Sequence, residues 1–177
     1  MAPTSFRYLF AAAAALLLLG AALGPFAEAK FAGVNPFCIH ATYRPTCTQM
    51  VKGATTLDSA MFNALQSALA EAKRVKAMIP TVMPGISQLS SNVKNEVVQT
   101  CTEDFDGTIS DIEETIAALR AKDMGTAQSH LSAALRRDCR DAIHEFGLNS
   151  ELSKYATQLT RTVDNAMAVV TQRPASR

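Results

Sequence analysis

Two cysteines, Cys101 and Cys139, bracket a stretch whose apolar residues recur in steps of three and four. Before the polar break Lys122-Asp123-Met124-Gly125 they fall at Val97, Cys101, Phe105, Ile109, Ile112, Ile116 and Leu119; after it, at Leu131, Leu135, Cys139, Ile143 and Phe146. Such spacing puts each set on one face of an α-helix. Both cysteines lie on those faces, so a bond between them would staple two antiparallel helices together. A stapled hairpin suits a protein that presents a rigid surface. One length is awkward. From Cys101 to Lys122 is about 31 Å of helix, whereas Asp123 to Cys139 is about 24 Å, at roughly 1.5 Å per residue. Helix tilt, or a wide loop around residues 122–127, is expected to absorb that gap.

The same periodicity runs through most of the chain. Thr55 and Asp58 fit a Thr-x-x-Asp capping box ahead of the stripe Leu57, Met61, Leu65, Ala68, Ala72, Val75 and Ile79. Pro80 and Pro84-Gly85 are expected to end that helix. Residues 80–91 then form a loop, with Ser90, Ser91 or Asn92 as N-caps for a second helix reaching about Lys122. A third starts near Asp123 to Thr126 and ends before Gly147, and Ser150 caps a fourth carrying Leu152, Ala156, Leu159, Val163, Ala166 and Val170. No stretch alternates as a strand would. The pattern predicts an all-α, up-down-up-down four-helix bundle over 54–172. A short N-terminal helical hairpin over 30–53, interrupted by Pro36 and Pro45, precedes it, and 173–177 form a frayed tail.

The first residues read differently. Arg7, the apolar run Phe10 to Leu23 and the small-x-small site Ala27-Glu28-Ala29 make a secretory signal, with cleavage before Lys30. The run is too short for the roughly 20 residues that a bilayer requires. Export into an oxidising compartment follows, and there an even cysteine count reads as two disulfides. Cys38 and Cys47 flank Tyr43-Arg44-Pro45, where the chain can reverse, so the pairs read as Cys38–Cys47 and Cys101–Cys139. The loops they close are worth about 3 and about 4 kcal/mol respectively by chain entropy.

Charge excludes some partners. Loss of Arg7 and Glu28 with the signal leaves the net charge at +1. That balance argues against nucleic acid or an anionic membrane as a partner. It hides an asymmetry, because residues 95–119 carry seven acids and no base. A solvated outer face is the plain explanation; the sharper one is an acidic docking face of Asp106, Asp111, Glu113 and Glu114. Catalytic patterns are lacking. His40, His130 and His144 show no metal-ligand spacing, and the chain has neither a Gly-x-Ser-x-Gly elbow nor a Gly-rich phosphate loop. A non-enzyme without cofactor or metal is expected.

The cysteine framework carries a resemblance. Cys38-x8-Cys47 enclosing Thr42-Tyr43-x-Pro45 resembles the N-terminal hairpin of the plant invertase and pectin methylesterase inhibitors. Ser132-Ala133-Ala134-Leu135 ahead of a cysteine is similar too, as is the ending Leu159-Thr160 … Asn165-Ala166-Met167-Ala168-Val169-Val170. The resemblance implies the bundle with its hairpin and the same two disulfides. It also implies a secreted, cell-wall inhibitor acting by stoichiometric contact on pectin methylesterase or on acid invertase. Invertase inhibitors often carry Pro-Lys-Phe after an Asp in the turn between the second and third bundle helices. Here Asp123 is matched and Met124-Gly125-Thr126 replace the tripeptide, which favours pectin methylesterase as the target. Two further departures fall on the third helix. Only three residues separate Leu135 from Cys139, and Ile143 stands where Phe often follows the Cys139-x-Asp141 pair. The side chains expected to meet the partner are Glu113, Lys122, Asp123, Met124 and Gln128. An extracellular structural protein of the same fold, without inhibitory activity, is the remaining alternative.

Overall fold

The computed structural model describes residues 33–82, 89–147 and 151–172. The signal segment 1–29, the Pro84-Gly85 pair, the Ser150 cap and the tail 173–177 lie outside these residues. The described part from Asn35 onward is all helical. A 3-10 turn, Pro36–Cys38, leads into α1 (Arg44–Met50), then α2 (Leu57–Val82), α3 (Ser91–Arg120), α4 (Met124–Ala133), α5 (Asp138–Glu145) and α6 (Glu151–Val170). α2 packs on α3 and α6; α3 also packs on α4 and α5, which close the ring against α6. The expected four-helix bundle is therefore present, with its third position divided between α4 and α5.

Both disulfides form as read, Cys38–Cys47 with Cα atoms 5.7 Å apart and Cys101–Cys139 at 4.2 Å. All four cysteines are buried. The N-terminal hairpin is seated chiefly by one buried polar side chain. Asn165 of α6 is fully buried, accepts the Tyr43 N–H at 3.1 Å and donates to the Tyr43 carbonyl at 3.1 Å. A buried amide is tolerated only where its donor and acceptor are both used, and here both go to the backbone of one residue. Arg161 lies over the Tyr43 ring at 5.0 Å, and Gln172 donates to the Phe37 carbonyl.

Several boundaries differ from expectation for local reasons. The capping box of α2 falls one residue later: Thr56 Oγ1 accepts the Ser59 N–H at 3.2 Å while Ser59 Oγ accepts the Thr56 N–H at 3.1 Å. Serine is as able as Asp58 to reach back, and the one-residue shift puts Ala60 and Ala64, rather than Leu57, at the centre of the buried stripe. Pro80 does not end α2. It deletes one N–H, yet helical geometry continues through Val82, so the missing bond falls in the last turn, where the cost is least. Ser90 caps α3, accepting from Val93 N.

The larger correction concerns the third helix, which is two. Ala134 closes α4 and residues 135–137 leave the helix before α5 begins at Asp138. The turn at 121–123, by contrast, is tight. Each residue that leaves a helix advances up to about 3.3 Å instead of about 1.5 Å, so three such residues add up to about 5 Å. That covers most of the shortfall between the two arms of the hairpin, and Cys139 lies beside Cys101 with Cα atoms 4.2 Å apart. The same break rotates the buried face: Ala134 enters the core and Leu135 becomes half-buried, while Leu131, Cys139 and Ile143 stay inside as expected. α6 buries every residue of its expected stripe.

The buried face of α3 is more polar than its apolar pattern suggests. Thr108, Thr115 and Asp104 are buried, whereas Ile109 is only half-buried. Thr108 Oγ1 donates to the Ala134 carbonyl at 3.4 Å, and Thr115 Oγ1 to its own turn at Asp111 at 2.7 Å and across to Ala127 at 3.4 Å. Threonine thus bonds the last turn of α4 to α3.

Candidate functional site

The turn between α3 and α4 stands at the end of the stapled hairpin, and its conformation is fixed from both sides. Lys122 adopts φ +59°, the left-handed region, one residue past the α3 C-cap. Its N–H donates to the Leu119 carbonyl at 3.0 Å, and the Asp123 N–H donates to the Ala118 carbonyl at 2.9 Å. These two bonds make a Schellman motif, with lysine where glycine is usual. Asp123 then opens α4: one carboxylate oxygen accepts the Thr126 N–H at 3.0 Å and the other the Thr126 hydroxyl at 2.7 Å. The backbone bond from Thr126, followed by the hydroxyl bond, holds the Asp123 pKa below the usual carboxylate range. Met124 is 37% exposed, and Ile39 is the other large apolar side chain exposed to that extent among the described residues. Gln128 is exposed one turn further along α4. Lys122, Asp123, Met124 and Gln128 therefore share one end of the hairpin. Glu113 lies about two turns back along α3, turned towards α2.

The acids of α3 are less free than the sequence suggests. Glu113 accepts from Lys73 of α2 at 2.8 Å, and Asp106 pairs with Lys76. Asp111 meets Arg136 at 3.2 Å and His130 at 3.6 Å, and the other ring nitrogen of His130 lies 3.0 Å from Glu114. All four carboxylates thus stand against basic groups supplied by α2 or by the segment from α4 to α5. Exposed pairs of this kind contribute little stability, about 0–1 kcal/mol each. The sequence places these bases on other elements, so no local pattern announces the pairing.

Two features that carry the break at residues 134–137 escaped pattern reading. Asp104 is 6% exposed, and one of its oxygens accepts the Cys139 N–H at 3.2 Å. Arg137, at the N-cap of α5, makes no side-chain capping bond, so Asp104 caps α5 from across the interface. The other oxygen has no protein partner. Burial raises the Asp104 pKa, and the Cys139 N–H opposes it more weakly. Gly107 is the second feature. A Cβ there would sit 2.8 Å from Arg136 Nε, so any larger residue would make the guanidinium shift from its path across α3 to Asp111. A polar residue on the buried face of α3 and a mid-helix glycine were the available signals.

The family can now be assigned. Residues 32–169 match the family model of the plant invertase/pectin methylesterase inhibitors. The chain belongs to this family. No match is found among curated proteins. Among solved structures, one similar chain is a mutant form of a pectin methylesterase inhibitor from Arabidopsis, with TM-score 0.66 and 15% identity. That match covers 80% of this chain and 97% of the other. A second is a pectin methylesterase inhibitor from Arabidopsis thaliana, with TM-score 0.58 and 16% identity, covering 78% of this chain and 94% of the other. At such identity the likeness is one of fold. The family is one of inhibitor proteins rather than catalysts. Among the described residues no helix is long and apolar enough to cross a membrane.

Proposed function

We propose that this chain is an exported inhibitor of pectin methylesterase, acting in the cell wall by stoichiometric occlusion of the enzyme's cleft. The observation that carries the reading is the family match over residues 32–169 on a twice-stapled bundle. In this reading the α3–α4 turn is the leading edge. Met124 supplies an apolar anchor, and Lys122, Asp123 and Gln128 set its register, with Glu113 flanking them on α3. A turn already fixed by its own capping bonds loses little conformational entropy on binding, which is how preorganisation raises affinity. Three of the acids of α3 are already paired with Lys73, Lys76 and Arg136, which supports a steric rather than an electrostatic mechanism.

Titration of the purified, oxidised protein into pectin methylesterase should abolish activity near one equivalent. Acid invertase is the second reading, favoured by Asp123 at the turn and opposed by Met124-Gly125-Thr126 in place of Pro-Lys-Phe. Loss of invertase activity alone would move the assignment there. Failure against both enzymes leaves the fold as an extracellular interaction protein without inhibitory activity.

A further inference from the structure

We propose that the groove between α1, α2 and α6 is a binding site for a neutral saccharide, separate from the α3–α4 turn. The groove measures about 330 Å³, at the low end of ligand-sized pockets and suited to a mono- or disaccharide. Its floor is apolar, formed by Met50, and its walls are polar. Thr46 and Gln49 come from α1, Ser67 from α2 and Gln158 from α6. No hydrogen bond within the protein engages any of these four side chains among the described residues, although other polar side chains nearby, including Thr162, are bonded. Two amides and two hydroxyls therefore face one space with their donors and acceptors unspent.

The remaining wall is preorganised. Arg74 donates through Nε and Nη2 to the two oxygens of Glu71, at 2.9 and 2.7 Å, and its guanidinium lies over the Tyr155 ring at 5.1 Å. Two of the five guanidinium donors are thus used, leaving three. The carboxylate oxygens of Glu71 keep lone pairs for further donors. Planar, fixed groups that both donate and accept are what vicinal hydroxyls require, because each hydroxyl gives one bond and takes others. The acid and the base of the wall cancel, so the site offers no net charge to an anion. That selects an uncharged sugar over a uronate. The hairpin clipped by Cys38–Cys47 supplies one wall, which gives its placement against Asn165 a purpose beyond closing the core.

The test uses the whole oxidised protein and needs no enzyme. Cellobiose is titrated while the side-chain amide signals of Gln49 and Gln158 are followed by NMR, with trigalacturonate as the anionic comparison. Saturable shifts at both amides are expected, with a dissociation constant on the order of 1 mM for a ligand of this size. The double variant Gln49→Ala, Gln158→Ala should keep both disulfides and its thermal midpoint while weakening cellobiose by about tenfold or more. Absence of saturation, retained affinity in the variant, or tighter binding of trigalacturonate than of cellobiose would each overturn the proposal. Loss of pectin methylesterase inhibition in the variant, without cellobiose binding in the parent, would also overturn it and mark the groove as protein-contacting. The proposal stands independently of the inhibitory reading, since none of its expected results depends on an enzyme.

Discussion

The turn at residues 121–123 and the break at residues 134–137 interrupt the same helical run, and they are held in opposite ways. At the turn each backbone group is answered within a few residues: Lys122 and Asp123 donate to Leu119 and Ala118, and Asp123 accepts from Thr126. At the break the partners come from a different helix. Asp104 accepts from Cys139 across 35 positions of sequence, Thr108 reaches Ala134, and Arg136 crosses Gly107 to Asp111. The turn can form by itself. The break depends on α3 being in place, and the Cys101–Cys139 bond ties α5 to it.

Breaking that dependence should give the largest effect. Replacing Cys101 and Cys139 together by alanine removes a long-loop crosslink and should cost about 4 kcal/mol, against about 3 kcal/mol for the Cys38, Cys47 pair. Chemical denaturation of both variants measures the difference. Hydrogen exchange adds a sharper readout: protection should fall first across 134–145 and persist at 124–131. Equal loss in both segments would contradict the contrast between break and turn.

Asp104 should come next. Asp104→Ala leaves the buried Cys139 N–H without an acceptor and should cost about 1–3 kcal/mol. Asp104→Asn keeps an acceptor and removes the titration. Because the folded pKa is raised, this group's contribution to stability is present in full below the unfolded value near 3.9 and is lost as pH rises through the folded value. The parent should therefore lose stability relative to Asp104→Asn as pH climbs from about 4 towards neutrality. Parallel thermal midpoints across that interval would refute the assignment.

This contrast also sets what the sequence made legible. Asp123, Ser90 and Gly147 announced helix ends because a cap is chosen by its own next few residues. Gly147 indeed takes φ +63°. The apolar stripe expected for α6 is buried at every position, whereas the buried Thr162 and Asn165 beside it carry no apolar signal and were passed over. The split of α4 from α5 was not read: the short Leu135–Cys139 spacing pointed to that segment, whereas the unequal arms were assigned to helix tilt or to a loop around residues 122–127. Its cause is a length mismatch against α3, and its stabilising groups sit on α3. Asp104, Thr108 and Thr115 carry no apolar signal, so a search for periodic hydrophobic residues passes over them. The acids of α3 follow the same logic. Their number is visible in the sequence; their pairing with Lys73, Lys76 and Arg136 depends on helix order.

At the turn the expected effects are smaller. Asp123→Ala removes two capping bonds and should lower the thermal midpoint, by less than Asp104→Ala does. If the turn is the leading edge of an inhibitor, the same change should weaken inhibition more than it weakens the fold. The lowered Asp123 pKa fixes the pH window by the opposite sign to Asp104. Its capping contribution is present above the unfolded value near 3.9 and is lost only as pH falls through the lower folded value. The turn therefore stays built throughout the mildly acidic range.

Lys122 should give the smallest effect and the cleanest separation of fold from function. A non-glycine residue at φ +59° is strained by its Cβ, and the lysine amine has no ion-pair partner among the described residues. Glycine occupies that conformation freely, so Lys122→Gly should stabilise the protein, by about 0.5–1 kcal/mol less the entropy glycine adds to the unfolded chain. A family member that keeps lysine there forgoes that stability. Contact with a partner is one physical reason to keep it, and then Lys122→Gly raises the thermal midpoint while lowering inhibition. A rise in midpoint with inhibition unchanged would remove Lys122 from the contact surface and leave Met124 as the anchor to test.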